Sequence, residues 1–135
     1  MPEKQLSVLD ARTATAFREE QDFTYQPKAG NNPDFLFPSE AAYLDRSFPR
    51  HRIRMLAAKT TFKDRWRQVT EECPDLSCKH MLTLQEGVSE AQFRLLRAAG
   101  IQLVVPMGRI KAYAEALRPE ILSLESFLAD LRLVL

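Results

Sequence analysis

The chain has 135 residues, 45% of them apolar and 27% charged, with 19 Lys and Arg against 18 acidic residues. These proportions suit one globular domain with a single core, and the near-zero net charge leaves local clustering as the only basis for a nucleic-acid surface. No run approaches the ~20 apolar residues that span a bilayer, and the first residues lack the basic start and apolar stretch of a secretory signal. A cytoplasmic protein without membrane contact is therefore expected, with Cys73 and Cys78 as reduced thiols.

Residues 1–20 show no clear period, although a frayed helix is possible over Asp10–Glu20. Asp22–Gln26 alternates aromatic with polar residues and reads as a strand. The cluster of Pro, Gly and Asn over 27–33 is turn chemistry, and Asp34–Phe37 is a short apolar run stopped by Pro38. Ser39 can cap a short helix with Glu40 in its first turn, carrying Ala41, Ala42 and Tyr43. A loop over 47–51 leads to Ile53–Ala58, which reads as a central strand ending at Lys59. Thr60 or Thr61 can cap a helix over about 62–73, on which Trp66, Val69 and Cys73 form a buried stripe.

Lys79–Leu84 is a further strand, closed by Gln85 and Glu86, and Ser89 caps a helix over 90–99 that Gly100 ends. Ile101–Val105 is the cleanest strand. Two helices near 107–116 and 123–132 follow, parted by Arg118 and Pro119. Helices between strands imply crossover connections, hence an α/β fold in which a mixed sheet is flanked by helices.

Asp34, Lys59 and Glu72 stand out chemically. Hydrolysing a phosphodiester requires a cation to neutralise developing charge and activate water. Mg²⁺ prefers carboxylate oxygens and keeps several waters, so Asp34 and Glu72 could hold it, with Lys59 orienting the water and stabilising the transition state. Such triples are common, and spacing alone is a weak signal. Lys63, Asp64, Arg65 and Arg67 crowd the start of the following helix. Arg suits guanine and Asp accepts from cytosine, although a solvated helix start with internal ion pairs is the ordinary reading of a charge run. Arg65 and Glu72 lie two turns apart and so share a helix face. Cys73, Cys78 and His80, with His51 or a carboxylate, lack the paired spacing of a zinc site. His51 and His80 read as loop and strand residues, and Trp66 as core.

Four segments in order carry a resemblance: PDFLFP at 33–38, KTTFKDRWRQ at 59–68, KHMLTLQEGVS at 79–89 and LVVP at 103–106. Together they strongly resemble the C-terminal catalytic domain of EcoRII-type restriction endonucleases, from about Phe23 to the C-terminus, and the final stretch over 117–131 is similar too. The resemblance implies the PD-(D/E)XK nuclease fold over a single domain, 1–135, with a core over 21–135 and a poorly matching segment over 1–20. It implies a type II site-specific deoxyribonuclease of a restriction-modification system. Such an enzyme cuts double-stranded DNA with Mg²⁺ at a short palindromic site of the CC(A/T)GG kind and flips the central base pair.

By residue, Asp34 and Glu72 resemble metal ligands, Lys59 the catalytic lysine and Tyr43 an active-site tyrosine. Lys63, Asp64 and Arg65 resemble the segment that reads G·C pairs. Ala57 stands where the common pattern has an acidic residue, and Glu72 replaces it from the helix. A palindromic target implies a homodimer, and a restriction enzyme implies a cognate cytosine methyltransferase in the same system. The family carries more helices, and a further active-site Glu, ahead of its Asp34 counterpart. The alternative is thus an inactive truncated remnant that binds DNA or needs a partner chain to complete its fold.

Overall fold

Along a strand successive side chains point to opposite faces, so a strand covered on both sides serves two cores. The computed structural model describes residues 24, 25, 30, 34–59, 66–85 and 87–134. Its strands are β1 (Thr24–Tyr25), β2 (Phe35–Phe37), β3 (Arg54–Lys59), β4 (Lys79–Thr83), β5 (Ile101–Val105) and β6 (Leu122–Ser123). Its helices are α1 (Glu40–Leu44), α2 (Trp66–Glu71), α3 (Glu90–Ala98), α4 (Met107–Ile110) and α5 (Leu124–Val134). Among the described residues the strands form one six-stranded sheet in chain order. The first three pair antiparallel, and β3 through β6 run parallel. This is the expected mixed sheet, and the helix-bearing connections α2 and α3 give its parallel half.

Met55 and Ala57 of β3, Leu36 of β2, Met81 of β4 and Leu103 of β5 share one face. Val69 of α2 and Phe93 and Leu96 of α3 pack on that face. Leu56 and Ala58, with Phe35, Phe37, Leu82 and Val104, point to the other, where Phe127 and Leu131 of α5 cover them. Every position of β3 from Met55 to Lys59 is buried, which explains why it reads as a near-continuous apolar run instead of an alternating one.

Local chemistry marks the helix ends as the sequence predicts. Ser39 Oγ accepts from Ala42 N at 3.0 Å, and Ser89 Oγ from Gln92 N at 3.1 Å. Gly100 follows α3 with φ 80°, the left-handed region that glycine enters without strain.

Three expectations change. The helix expected over 107–116 is only the four-residue α4, because Arg118 takes the carbonyls of Lys111 and Tyr113, each at 2.8 Å, that a longer helix would use internally. Two-residue β6 pairs beside β5; so short a strand has no period to reveal it. The helix expected over 62–73 ends at Glu71, leaving Glu72 and Cys73 beyond it. Cys73 turns into the left-handed region with φ 46°, and its N–H donates to Gly30 O at 2.8 Å, which takes the chain off the helical path. The shared helix face drawn through Glu72 is thereby lost, and Arg65 lies outside the described residues.

Candidate active site

Asp34 enters β2, and Lys59 ends β3 beside it. The carboxylate oxygen Oδ2 of Asp34 accepts from Ala58 N at 2.7 Å and lies 3.7 Å from Lys59 Nζ. A side chain thus stands in for a main-chain acceptor where the β2–β3 ladder begins. Asp34 is fully buried and Lys59 is 7% exposed. Two charges this far from water persist only when paired and hydrogen-bonded.

Alternation decides which way Lys59 points. It follows Met55 and Ala57 onto the face where α2 packs. The buried segment Glu72–Cys73 comes down on the same face, with Cys73 in the cluster that holds Ala57. Position 57 shares its side of β3 with Lys59. Thr83 of β4 is fully buried and pairs in register with Lys59. It adds a hydroxyl on this face that the sequence reading missed; a threonine inside an apolar strand carries no distinctive signal.

Asp34 and Lys59 therefore lie on one face of the sheet and in contact, and Glu72 is buried next to Cys73, which packs on that face. Asp34 and Glu72 provide hard oxygen donors, a set that fits a divalent cation such as Mg²⁺, which keeps several of its own waters. Among the described residues no group of three or more His, Cys, Asp and Glu side chains is arranged to hold a metal.

Tyr43 of α1 bonds to the turn that follows α2. Its hydroxyl donates to Asp75 Oδ1 at 2.5 Å, and Asp75 Oδ2 also accepts from Arg50 at 3.2 Å. Arg50 further donates to the carbonyls of Ala42, Tyr43 and Asp45 at the end of α1. Burial and the bond to Asp75 push the Tyr43 hydroxyl pKa well above the ordinary tyrosine value. Burial, with Glu72 and Asp75 nearby, pushes the Cys73 thiol up to about 12. Cys73 is thus a packed, protonated thiol and not a nucleophile. The partners Asp75 and Arg50 escaped sequence reading because isolated charges in loops have no period.

Of the expected DNA-reading residues, Lys63, Asp64 and Arg65 lie outside the described residues. Arg67 is exposed on α2, its guanidinium 5.5 Å from the centre of the Trp66 ring. Gln85, with Glu86 the expected close of β4, bonds Gly87 O through its side chain at 3.1 Å; Glu86 is outside the described residues. His51 lies in an exposed 3-10 turn, and His80 is buried in β4, 4.9 Å from the Phe127 ring. A cavity of about 310 Å³ lies by the N-terminal ends of β3 and β4, lined among others by Arg54, His80 and Asp130. It sits at the opposite end of these strands from Lys59.

The family model described as EcoRII C terminal matches residues 4–128 of this chain. The type II restriction enzyme EcoRII of Escherichia coli is 51% identical over 104 residues, a match that covers 77% of this chain and 26% of that enzyme. The chain thus spans about a quarter of the length of this curated relative. Two solved structures share the fold with a TM-score of 0.71, each covering 84% of this chain and 39% of theirs: metal-depleted Ecl18kI in complex with uncleaved DNA, at 21% identity, and with uncleaved, modified DNA, at 20%. At that identity the likeness is one of fold, and it is the restriction-endonuclease-like α/β fold. With a family model matched along nearly its whole length, this chain belongs to the EcoRII C-terminal family.

Proposed function

We propose that this chain is the catalytic domain of a type II restriction endonuclease that hydrolyses double-stranded DNA with Mg²⁺ at a short palindromic site of the CC(A/T)GG kind. The observation that carries the reading is the buried Asp34–Lys59 pair, 3.7 Å apart, at the sheet end where a family nuclease needs its acid and its lysine. A bound Mg²⁺ supplies charge neutralisation at the phosphate and a more acidic water. Asp34 and Glu72 hold that ion.

Lys59, steadied by the Asp34 carboxylate, orients the attacking water and presents a fixed positive charge to the phosphate oxygens. That charge is worth most where bulk water is excluded. Lys63, Asp64, Arg65 and the exposed Arg67 read G·C pairs and phosphates from the α2 side. Two copies of the chain cut the two strands of a palindrome as a homodimer. A cognate cytosine methyltransferase protects the host sites.

The test is cleavage of a supercoiled plasmid with Mg²⁺, comparing wild type, Lys59→Ala and Glu72→Gln, with folding checked by circular dichroism. We expect discrete fragments from the wild type and a rate lower by about 100-fold or more in either variant. Absence of cutting by the folded wild type at every protein concentration retires the nuclease reading. A salt-sensitive gel shift then tells a DNA-binding remnant from a fragment that needs a partner chain.

A further inference from the structure

The ligand Glu72 sits in a turn and not on a helix, so something other than α2 must hold it. Its N–H bonds Val69 O, at 3.1 Å, three residues back. The next residue, Cys73, has φ 46°, a conformation that persists in a non-glycine residue only when its surroundings enforce it. Two sets of contacts do so. On one side Gly30 accepts the Cys73 N–H at 2.8 Å and packs so closely that a Cβ at position 30 would lie 2.8 Å from Cys73 Sγ and 3.2 Å from Tyr43 Oη. On the other, Asp75 receives the Tyr43 hydroxyl and the Arg50 guanidinium, and Arg50 is itself anchored to three carbonyls around the end of α1.

We propose that Asp75, through Tyr43 and Arg50, is a positioning residue that clamps the Glu72–Cys73 turn against α1 and so aims the Glu72 carboxylate at the cation site. Tyr43 acts in the same clamp: its hydroxyl proton is directed to Asp75, so it works on the turn and not on the reacting atoms. This rests on the reading of Glu72 as a metal ligand. Asp75 and Arg50 are 47% and 35% exposed, and an ion pair that open to water adds little to stability. The clamp therefore acts on geometry, and its removal shows in metal affinity before it shows in melting.

The experiment measures Mn²⁺ binding directly by electron paramagnetic resonance, without DNA, alongside the thermal midpoint. The chains are wild type, Glu72→Gln, Asp75→Ala, Asp75→Asn, Tyr43→Phe and the double variant Tyr43→Phe/Asp75→Ala. Removing a residue that orients a ligand typically weakens metal binding 10–100-fold, so Asp75→Ala and Tyr43→Phe should each weaken Mn²⁺ binding roughly tenfold. The double variant should be no weaker than either single, because both cut one chain of contacts. Asp75→Asn keeps an oxygen for the Tyr43 hydroxyl and should restore most of the affinity.

Equal losses in Asp75→Asn and Asp75→Ala would mean that charge and not positioning matters, and would overturn the proposal. So would Mn²⁺ binding that falls in Glu72→Gln but not in Asp75→Ala or Tyr43→Phe. A wild type that binds no Mn²⁺ removes the metal-ligand reading of Glu72 and this proposal with it. Should Asp75→Ala fail to fold, the comparison of Tyr43→Phe with Asp75→Asn decides.

Discussion

Asp34 and Lys59 show how a buried charge is kept. The carboxylate takes a main-chain N–H at 2.7 Å and an ammonium at 3.7 Å from the same oxygen. Deleting either partner leaves the other as an uncompensated charge, which typically costs about 3–5 kcal/mol. Lys59→Ala should therefore lower the unfolding free energy by an amount in that range, measured by urea denaturation. Adding Asp34→Ala should cost less than the sum of the two single changes, since no lone charge remains; strict additivity would mean that the pair is not coupled.

His80 offers a second residue-scale test. Burial, and then the positive charge of Arg54 on β3, lower its pKa to about 4, partly offset by Asp130 on α5. A histidine whose folded pKa lies below its unfolded value near 6.5 binds fewer protons folded than unfolded between the two. Its contribution to stability is thus intact above pH 6.5 and is lost as pH falls toward 4, roughly 2–3 kcal/mol of it by pH 4.5. The stability difference between wild type and His80→Phe should shift by about that much between pH 7 and pH 4.5, measured by urea denaturation. A difference that stays constant with pH removes the assignment.

At the scale of elements, the strands were legible where they are long and buried on both faces. Ile101–Val105 was read without error, and β3 and β4 within a residue at one or both ends, because runs of five or six largely buried residues are too short to show a helical period. Helix starts were legible from Ser39 and Ser89, whose hydroxyls take N–H groups of the first turn. Helix ends were legible only where glycine marks them. Gly100 combines φ 80° with a site where a Cβ would lie 2.8 Å from Ser77 O. Gly100→Ala should thus destabilise by about 2 kcal/mol or more, beyond the ~1 kcal/mol of left-handed strain alone. A thermal midpoint within a degree of wild type would contradict this.

The end of α2 was not legible. What stops it is a carbonyl of Gly30 from another part of the chain, and no pattern local to residues 66–73 records that contact. The short α4 has the same cause: Arg118 reaches back for the carbonyls.

Across the whole molecule, one sheet sorts its side chains into two cores and brings the acid of β2 and the lysine of β3 to one end. No described helix is long and apolar enough to cross a membrane. If two copies share a palindromic duplex, light scattering of the complex with an oligonucleotide bearing one CC(A/T)GG site should give two chains per duplex, and binding should weaken steeply with salt. One chain per duplex at saturation removes the homodimer.

The amino-acid order by itself settled the fold class, most strand positions, the helix caps at Ser39 and Ser89 and the family, because periodicity, capping chemistry and a ten-residue block such as KTTFKDRWRQ are local signals; the cap expected at Thr60 or Thr61 lies outside the described residues. It also picked out Asp34, Lys59 and Glu72 together, yet said nothing of how Asp34 and Lys59 meet. Only the tertiary structure decided that Asp34 stands in for a ladder acceptor, that Glu72 leaves the helix, and that Tyr43 is tied to Asp75 and Arg50. Each of these depends on contacts between segments far apart in the chain, and such contacts are set by packing and leave no mark on the local pattern.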